Sequence, residues 1–266
     1  MAGITVRTAT LREGLRLPYA EVGAGAPVVF VHGWGDTWRA FEPVLRQLPA
    51  GLHAYAFTQR GHGDADRPAD GYTPAALADD LIAFLDSVGL GRAVLVGGSS
   101  GGVQARIAAA RHPDRVAGLV LLGVPATLAD KPAARAVREL VRELRDPVGR
   151  EFAEAFSSGL TGGGVEPEFL AAMVAESLKA PARVWRDTML GLLDTDLRAT
   201  LDRITVPTLV VWGDRDQLLP RSDQQVILDA VPGSRLVVHQ GAGHLLYWER
   251  PGDVARDIGG FVRSVA

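Results

Sequence analysis

Short apolar runs, most of them rich in valine, recur along the chain at 27–31, 53–57, 93–96, 119–122, 208–212 and 235–238, with amphipathic stretches between them. Within each run the apolar residues are continuous rather than alternating. That is the pattern of a strand buried on both faces, as in a parallel sheet covered by helices. Two further strands are expected near 4–10 and 15–22. Each run ends in a loop rich in Gly, His or Asp, and in open α/β sheets the ligand site lies at the carboxyl ends of the strands. Those loops are the first places to look for chemistry.

Between about 125 and 203 the period changes. Val137, Leu140, Val141 and Leu144 fall at i, i+3, i+4 and i+7, with Arg and Glu on the other face, as on a solvated amphipathic helix. Phe169, Met173 and Leu178, then Trp185, Met189 and Leu193, extend the helical reading, while Ser157-Ser158-Gly159 and Thr161-Gly162-Gly163-Gly164 read as flexible connections. The expected organisation is a core domain made of 1–124 and 204–266, interrupted by a helical lid at 125–203. No internal repeat or low-complexity tract is visible.

Composition narrows the classes. A chain of 266 residues with 47% apolar residues can bury a sizeable core, and open α/β folds of this size are common as single units. A net charge of -3 gives no general electrostatic reason to bind nucleic acid or an anionic membrane. Of the 28 basic residues, 26 are Arg, scattered rather than clustered. With no Cys, disulfides, thiolate nucleophiles, zinc fingers and iron–sulfur ligation drop out together. The start of the chain, Met1 to Arg7, has no apolar core of signal-peptide length, and no apolar run approaches the ~20 residues that span a bilayer. The expectation is a soluble, cytoplasmic protein with a small-molecule substrate, its oligomeric state left open.

The segment Val94 to Ala105 reads as a strand, a very tight turn and the start of a helix. A Ser at the tip of such a turn needs small neighbours on both sides, and Gly97 and Gly101 supply them around Ser99. The pattern G-x-S-x-G also fits one residue later, as Gly98-x-Ser100-x-Gly102. Ser99 is the favoured nucleophile because the strand ends two residues before it. A serine hydroxyl needs a base within reach, and the base needs an orienting carboxylate. Downstream, Asp214 and Asp216 follow one strand, and His244, in the Gly-lined loop Gly241-Ala242-Gly243-His244, follows the last. Asp216 is favoured over Asp214, which is placed to cap the turn. Three other histidines read as structural: His53 and His239 in strand runs, His112 at a helix end. For an oxyanion, one N–H donor would come from Ser100 at a helix N-terminus and another from Trp34 in the loop His32-Gly33-Trp34-Gly35.

With these elements together, the chain resembles the α/β-hydrolase superfamily, close to its small esterases, lactonases, cofactor-free haloperoxidases and carbon–carbon bond hydrolases. The matching elements run from Val28 to Pro251: the His-Gly-Trp-Gly loop, Arg60-Gly61-His62-Gly63, the Ser turn, Gly213-x-x-Asp216, and Gly243-His244 with Glu249-Arg250-Pro251. The resemblance implies an α/β fold with a mostly parallel eight-stranded sheet, Ser99, Asp216 and His244 as a triad, and Trp34 and Ser100 as oxyanion donors. Asp at the nucleophile position would have implied a dehalogenase or epoxide hydrolase; Ser99 argues against both. Two departures stand out: Thr58 where relatives often have Asp, and Gly98 where they often have a larger residue before the nucleophile.

The expected activity is hydrolysis of a carboxylic ester or lactone. Carbon–carbon bond cleavage, with Arg183 and Arg186 as weak anchors for a substrate acid, perhydrolysis, and a non-turnover receptor are the alternatives. Trp38, Met173, Trp185, Met189, Leu218 and Leu245, beside Trp34, are expected to line an apolar substrate pocket. No cofactor or metal is implied, since neither G-x-x-x-x-G-K-[ST] nor G-x-G-x-x-G occurs and no His/Asp/Glu cluster has ligand spacing.

Overall fold

A computed structural model describes residues 3–128 and 130–265. Met1 and Ala2 of the N-terminal reading, and position 129 of the helical stretch, lie outside them. The chain forms an eight-stranded sheet from β1 (Thr5–Thr10), β2 (Arg16–Gly23), β3 (Gly25–Val31), β4 (Gly51–Phe57), β5 (Ala93–Gly98), β6 (Val116–Leu122), β7 (Thr208–Gly213) and β8 (Arg235–His239). The order across the sheet is β1-β2-β4-β3-β5-β6-β7-β8, antiparallel at β1/β2 and β2/β4 and parallel elsewhere.

The continuous apolar runs are explained by two cores, one on each face. Val29 and Val31 of β3 point into the same core as Leu95 and Leu119, with Leu81 and Phe84 covering them. Their neighbours Val28 and Phe30 join Val94, Val96 and Val120 on the other face, covered by Val44, Ile258 and Phe261. A strand that must bury both faces has no polar position to give up, and each fully buried Val, Leu or Phe contributes about 1.5–3 kcal/mol. The edge strand β1 buries only Ala9, which is why its sequence signal is faint.

The covering helices are α1 (Glu42–Leu45), α2 (Pro74–Ser87), α3 (Ser100–Arg111), α8 (Arg221–Ala230), the short α9 (Leu246–Glu249) and α10 (Pro251–Val265). Between β6 and β7 come four more: α4 (Pro132–Glu143), α5 (Arg150–Gly159), α6 (Pro167–Ser177) and α7 (Ala182–Asp194). The two ends of this helical insertion are tied to α3 by the buried Arg106, whose guanidinium donates to the carbonyls of Pro125 (2.7 Å), Ala126 (3.1 Å) and Leu197 (2.6 Å). Among the described residues no helix is long and apolar enough to cross a membrane. The order of the sheet reverses around β3, with β4 on one side and β5 on the other, so the loops after β3 and β5 open a crevice at their carboxyl ends.

Candidate active site

The turn from β5 into α3 puts Ser99 at φ 50°, ψ -125°, a conformation that costs a side-chain-bearing residue free energy and holds only where the surroundings enforce it. Its neighbours enforce it. A Cβ on Gly97 would overlap the Gly102 Cα, and one on Gly101 would overlap the Val31 and His32 carbonyl oxygens. The Ser99 amide donates to Leu122 O at 2.9 Å, pinning the turn to β6. Ser100, the first residue of α3, is buried, and its hydroxyl has no partner.

His244, in the loop after β8, is 2% exposed; its Nε2 lies 2.9 Å from Ser99 Oγ and its Nδ1 2.8 Å from Asp216 Oδ2. The other oxygen, Asp216 Oδ1, accepts the amides of Leu218 and Leu219, each at 2.9 Å. A carboxylate with one oxygen filled by backbone donors has the other free to accept from Nδ1–H, which leaves Nε2 as the acceptor facing the serine. Asp214 is spent elsewhere: its Oδ1 accepts the Gly241 amide at 2.6 Å. The loops carrying Asp216 and His244 touch directly, since a Cβ on Gly213 would overlap the Ala242 and Gly243 carbonyl oxygens. Among the described residues the amides of Trp34 and Ser100 have no acceptor in the protein, as an oxyanion site requires.

Ser99 and His244 open onto a cavity of about 340 Å³. Its walls are mostly apolar and come from both parts of the chain: Trp34, Leu218 and Leu245 from the strand-end loops, Val137, Phe156 and Met189 from the insertion. Of the residues expected to line a pocket, Met189, Leu218 and Leu245 line this cavity. Trp38, Met173 and Trp185 do not line this cavity. Trp38 and Met173 face the core on the α10 side of the sheet, where the Arg39 guanidinium lies 4.8 Å from the Trp38 ring centre. Trp185 is fully buried behind the wall, edge-on to Trp34, Phe152 and Phe156, and its carbonyl accepts the Trp34 Nε1–H at 2.9 Å. Arg183 donates to the carbonyls of Arg67 and Pro68, and Arg186 pairs with Asp187; neither reaches the cavity.

The two departures have structural counterparts. Thr58 Oγ1 accepts the Trp38 amide at 3.2 Å, and the Tyr247 ring stands 3.0 Å from where a side chain on Gly98 would begin. Besides Lys131, sequence reasoning passed over two polar groups in the cavity wall, Asp36 and Tyr247. Burial raises the Asp36 carboxyl to about 8, and burial, with Asp36 adding to it, pushes the Tyr247 phenol well above its usual range. An acid set among Gly and Trp in the loop after β3 was the signal for the first; nothing in the sequence marks the second. Among the described residues no group of three or more His, Cys, Asp or Glu is arranged to hold a metal.

The chain is similar to known proteins along most of its length. The family profile described as alpha/beta hydrolase fold matches residues 26–251. A non-heme chloroperoxidase of Kitasatospora aureofaciens is 30% identical over 88% of this chain and 90% of its own length. A pimeloyl-[acyl-carrier protein] methyl ester esterase of Neisseria meningitidis serogroup B is 31% identical over 82% of this chain and 85% of its own. Among solved structures, a thermophilic esterase from Thermogutta terrifontis superposes with a TM-score of 0.87 at 28% identity, covering 98% of this chain and 99% of that one.

Proposed function

We propose that the chain, which belongs to the alpha/beta hydrolase fold family, is a serine hydrolase cleaving a carboxylic ester or lactone of a small to medium, uncharged, largely apolar substrate through an acyl-enzyme. The observation that carries this reading is the unbroken hydrogen-bonded line from Ser99 through His244 to Asp216, opening on an apolar cavity. Ser99 Oγ attacks the carbonyl carbon as its proton passes to His244 Nε2, and Asp216 holds the imidazolium. The oxyanion is met by the Trp34 and Ser100 amides, the latter at the positive end of α3. As the carbon–oxygen bond breaks, His244 returns the proton to the departing alkoxide. Water then attacks the acyl-enzyme by the same steps and frees the acid. The insertion at 125–203 serves as a lid that completes the cavity and limits substrate size.

Carbon–carbon bond hydrolysis of an acidic substrate is disfavoured, because Arg183 and Arg186 are both engaged away from the cavity and Lys131, the cation in its wall, is held by Asp130 and Asp223. The test is turnover of a panel of short-chain aryl esters, lactones and dienone acids by wild type and Ser99→Ala, with burst kinetics. Multiple ester turnovers that vanish with Ser99 are expected. Activity confined to charged substrates, or an active Ser99→Ala beside a dead Ser100→Ala, would overturn the assignment. A single slow acylation without turnover would point to a receptor.

A further inference from the structure

The acyl-transfer steps leave one acidic side chain in the cavity wall unused. Asp36 is 6% exposed and lines the cavity together with Ser99, His244 and Tyr247. The point where a Cβ on Gly33 would stand is 3.3 Å from Asp36 Oδ2 and 3.4 Å from Ser99 Cβ, so carboxyl and nucleophile share one corner. Among the described residues the Asp36 side chain has no hydrogen-bond or ion-pair partner, and the neighbouring Tyr247 hydroxyl is likewise unpaired. A buried polar group costs free energy until something pairs with it. The walls around it are mostly apolar, so the partner arrives with the substrate.

We propose that Asp36 is a specificity-determining residue whose carboxylic acid donates a hydrogen bond to a neutral oxygen on the substrate, selecting esters or lactones with an ether, keto or hydroxyl oxygen within a few atoms of the reacting carbonyl. This rests on the ester-hydrolase reading and sharpens its substrate class. Only the acid form can donate, and burial holds the proton on up to about pH 8. The surrounding groups do not offset that. His32, on the same loop, is kept neutral by burial; Tyr247 is a neutral phenol; His244 is bound to Asp216; and the Lys131 ammonium is held by Asp130 and Asp223.

The experiment compares kcat/KM for para-nitrophenyl methoxyacetate with its hydrocarbon isostere para-nitrophenyl butyrate, and for methoxyethyl acetate with butyl acetate, in wild type, Asp36→Leu and Asp36→Asn. Intrinsic reactivity cancels when the oxygenated-to-hydrocarbon ratio is compared between proteins. In at least one pair the ratio is expected to fall about tenfold or more in Asp36→Leu, while Asn, still a donor, keeps it within about threefold of wild type. In wild type the ratio should decline as pH passes about 8, and in Asp36→Asn it should not. Equal ratios in wild type and Asp36→Leu for both pairs overturn the proposal. So does an Asp36-dependent preference for a choline ester over its neutral isostere, which would make the carboxylate a cation site. If Asp36→Leu fails to fold, the Asp36→Asn pH profile decides alone, and a profile matching wild type overturns the proposal. Absence of any Ser99-dependent ester turnover removes the hydrolase reading and this one with it; turnover with unchanged ratios removes only this one.

Discussion

Replacing Asp216 by Asn changes one oxygen to nitrogen and removes the charge beside His244. The carboxylate is fixed from two sides, by the Leu218 and Leu219 amides on Oδ1 and by His244 Nδ1 on Oδ2. The single carbonyl oxygen of Asn goes where two N–H donors point, so its NH2 group is turned toward Nδ1. Nδ1 must then accept, the imidazole proton moves to Nε2, and Ser99 faces a donor in place of a base. Charge stabilisation of the imidazolium is lost as well. Such a change costs roughly 10⁴ in kcat, which is about 5.5 kcal/mol of transition-state stabilisation. Initial rates on para-nitrophenyl butyrate measure it, with a thermal melt to show that the fold is intact. Asp214→Asn, whose residue only caps the Gly241 turn, is expected to stay within about tenfold of wild type, the scale of one hydrogen bond. If Asp214→Asn were the crippled variant and Asp216→Asn kept most of its rate, the tautomer argument and the assignment behind it would both be wrong.

The remaining predictions concern stability. Burial lifts the Asp36 carboxyl from 3.8 to about 8, so the folded protein holds a proton that the unfolded chain releases, and stability falls as pH rises across that window. Asp36→Asn should therefore raise Tm near neutral pH and change it little near the bottom of the window; a gain independent of pH would refute the linkage. His62 runs the other way: burial lowers it from 6.5 to about 4, so stability is present above that window and is lost as pH falls through it. His62→Gln should flatten this acid limb in urea titrations, and an unchanged slope counts against the assignment. Trp185→Ala removes a fully buried ring packed edge-on to three aromatics, an expected loss of about 3–5 kcal/mol by denaturant midpoint. A loss below about 1 kcal/mol would mean that the insertion is not anchored through this residue.

Which acid and which serine meet His244 is a matter of backbone direction. Gly97-Gly98-Ser99-Ser100-Gly101-Gly102 satisfies the same spacing twice, and only the positive φ at Ser99, with α3 beginning at Ser100, aims one hydroxyl at the imidazole and buries the other. Trp38, Met173 and Trp185 make the same point about the pocket. Their apolarity correctly marks them as buried, yet a residue's burial does not say which neighbours bury it. Asp36 escaped notice because its environment, not its type, makes it unusual: the same residue in an exposed loop would be unremarkable.

The residues in order were enough to determine the succession of strands and helices, the sheet buried on both faces, the run of helices between β6 and β7, and the chemical types that gather at the strand ends. These follow from local rules, since periodicity, tight-turn glycines and chain order act over a few neighbours at a time. The pairing order β1-β2-β4-β3-β5-β6-β7-β8, the close contact of Ser99 with His244 145 positions away, the closing of the cavity by the insertion, and the unpaired carboxyl of Asp36 were decided by tertiary structure. Hydrophobic free energy rewards the area removed from water and is nearly blind to direction. Hydrogen bonds and desolvated charges depend on distance and angle, and those exist only once the chain has packed.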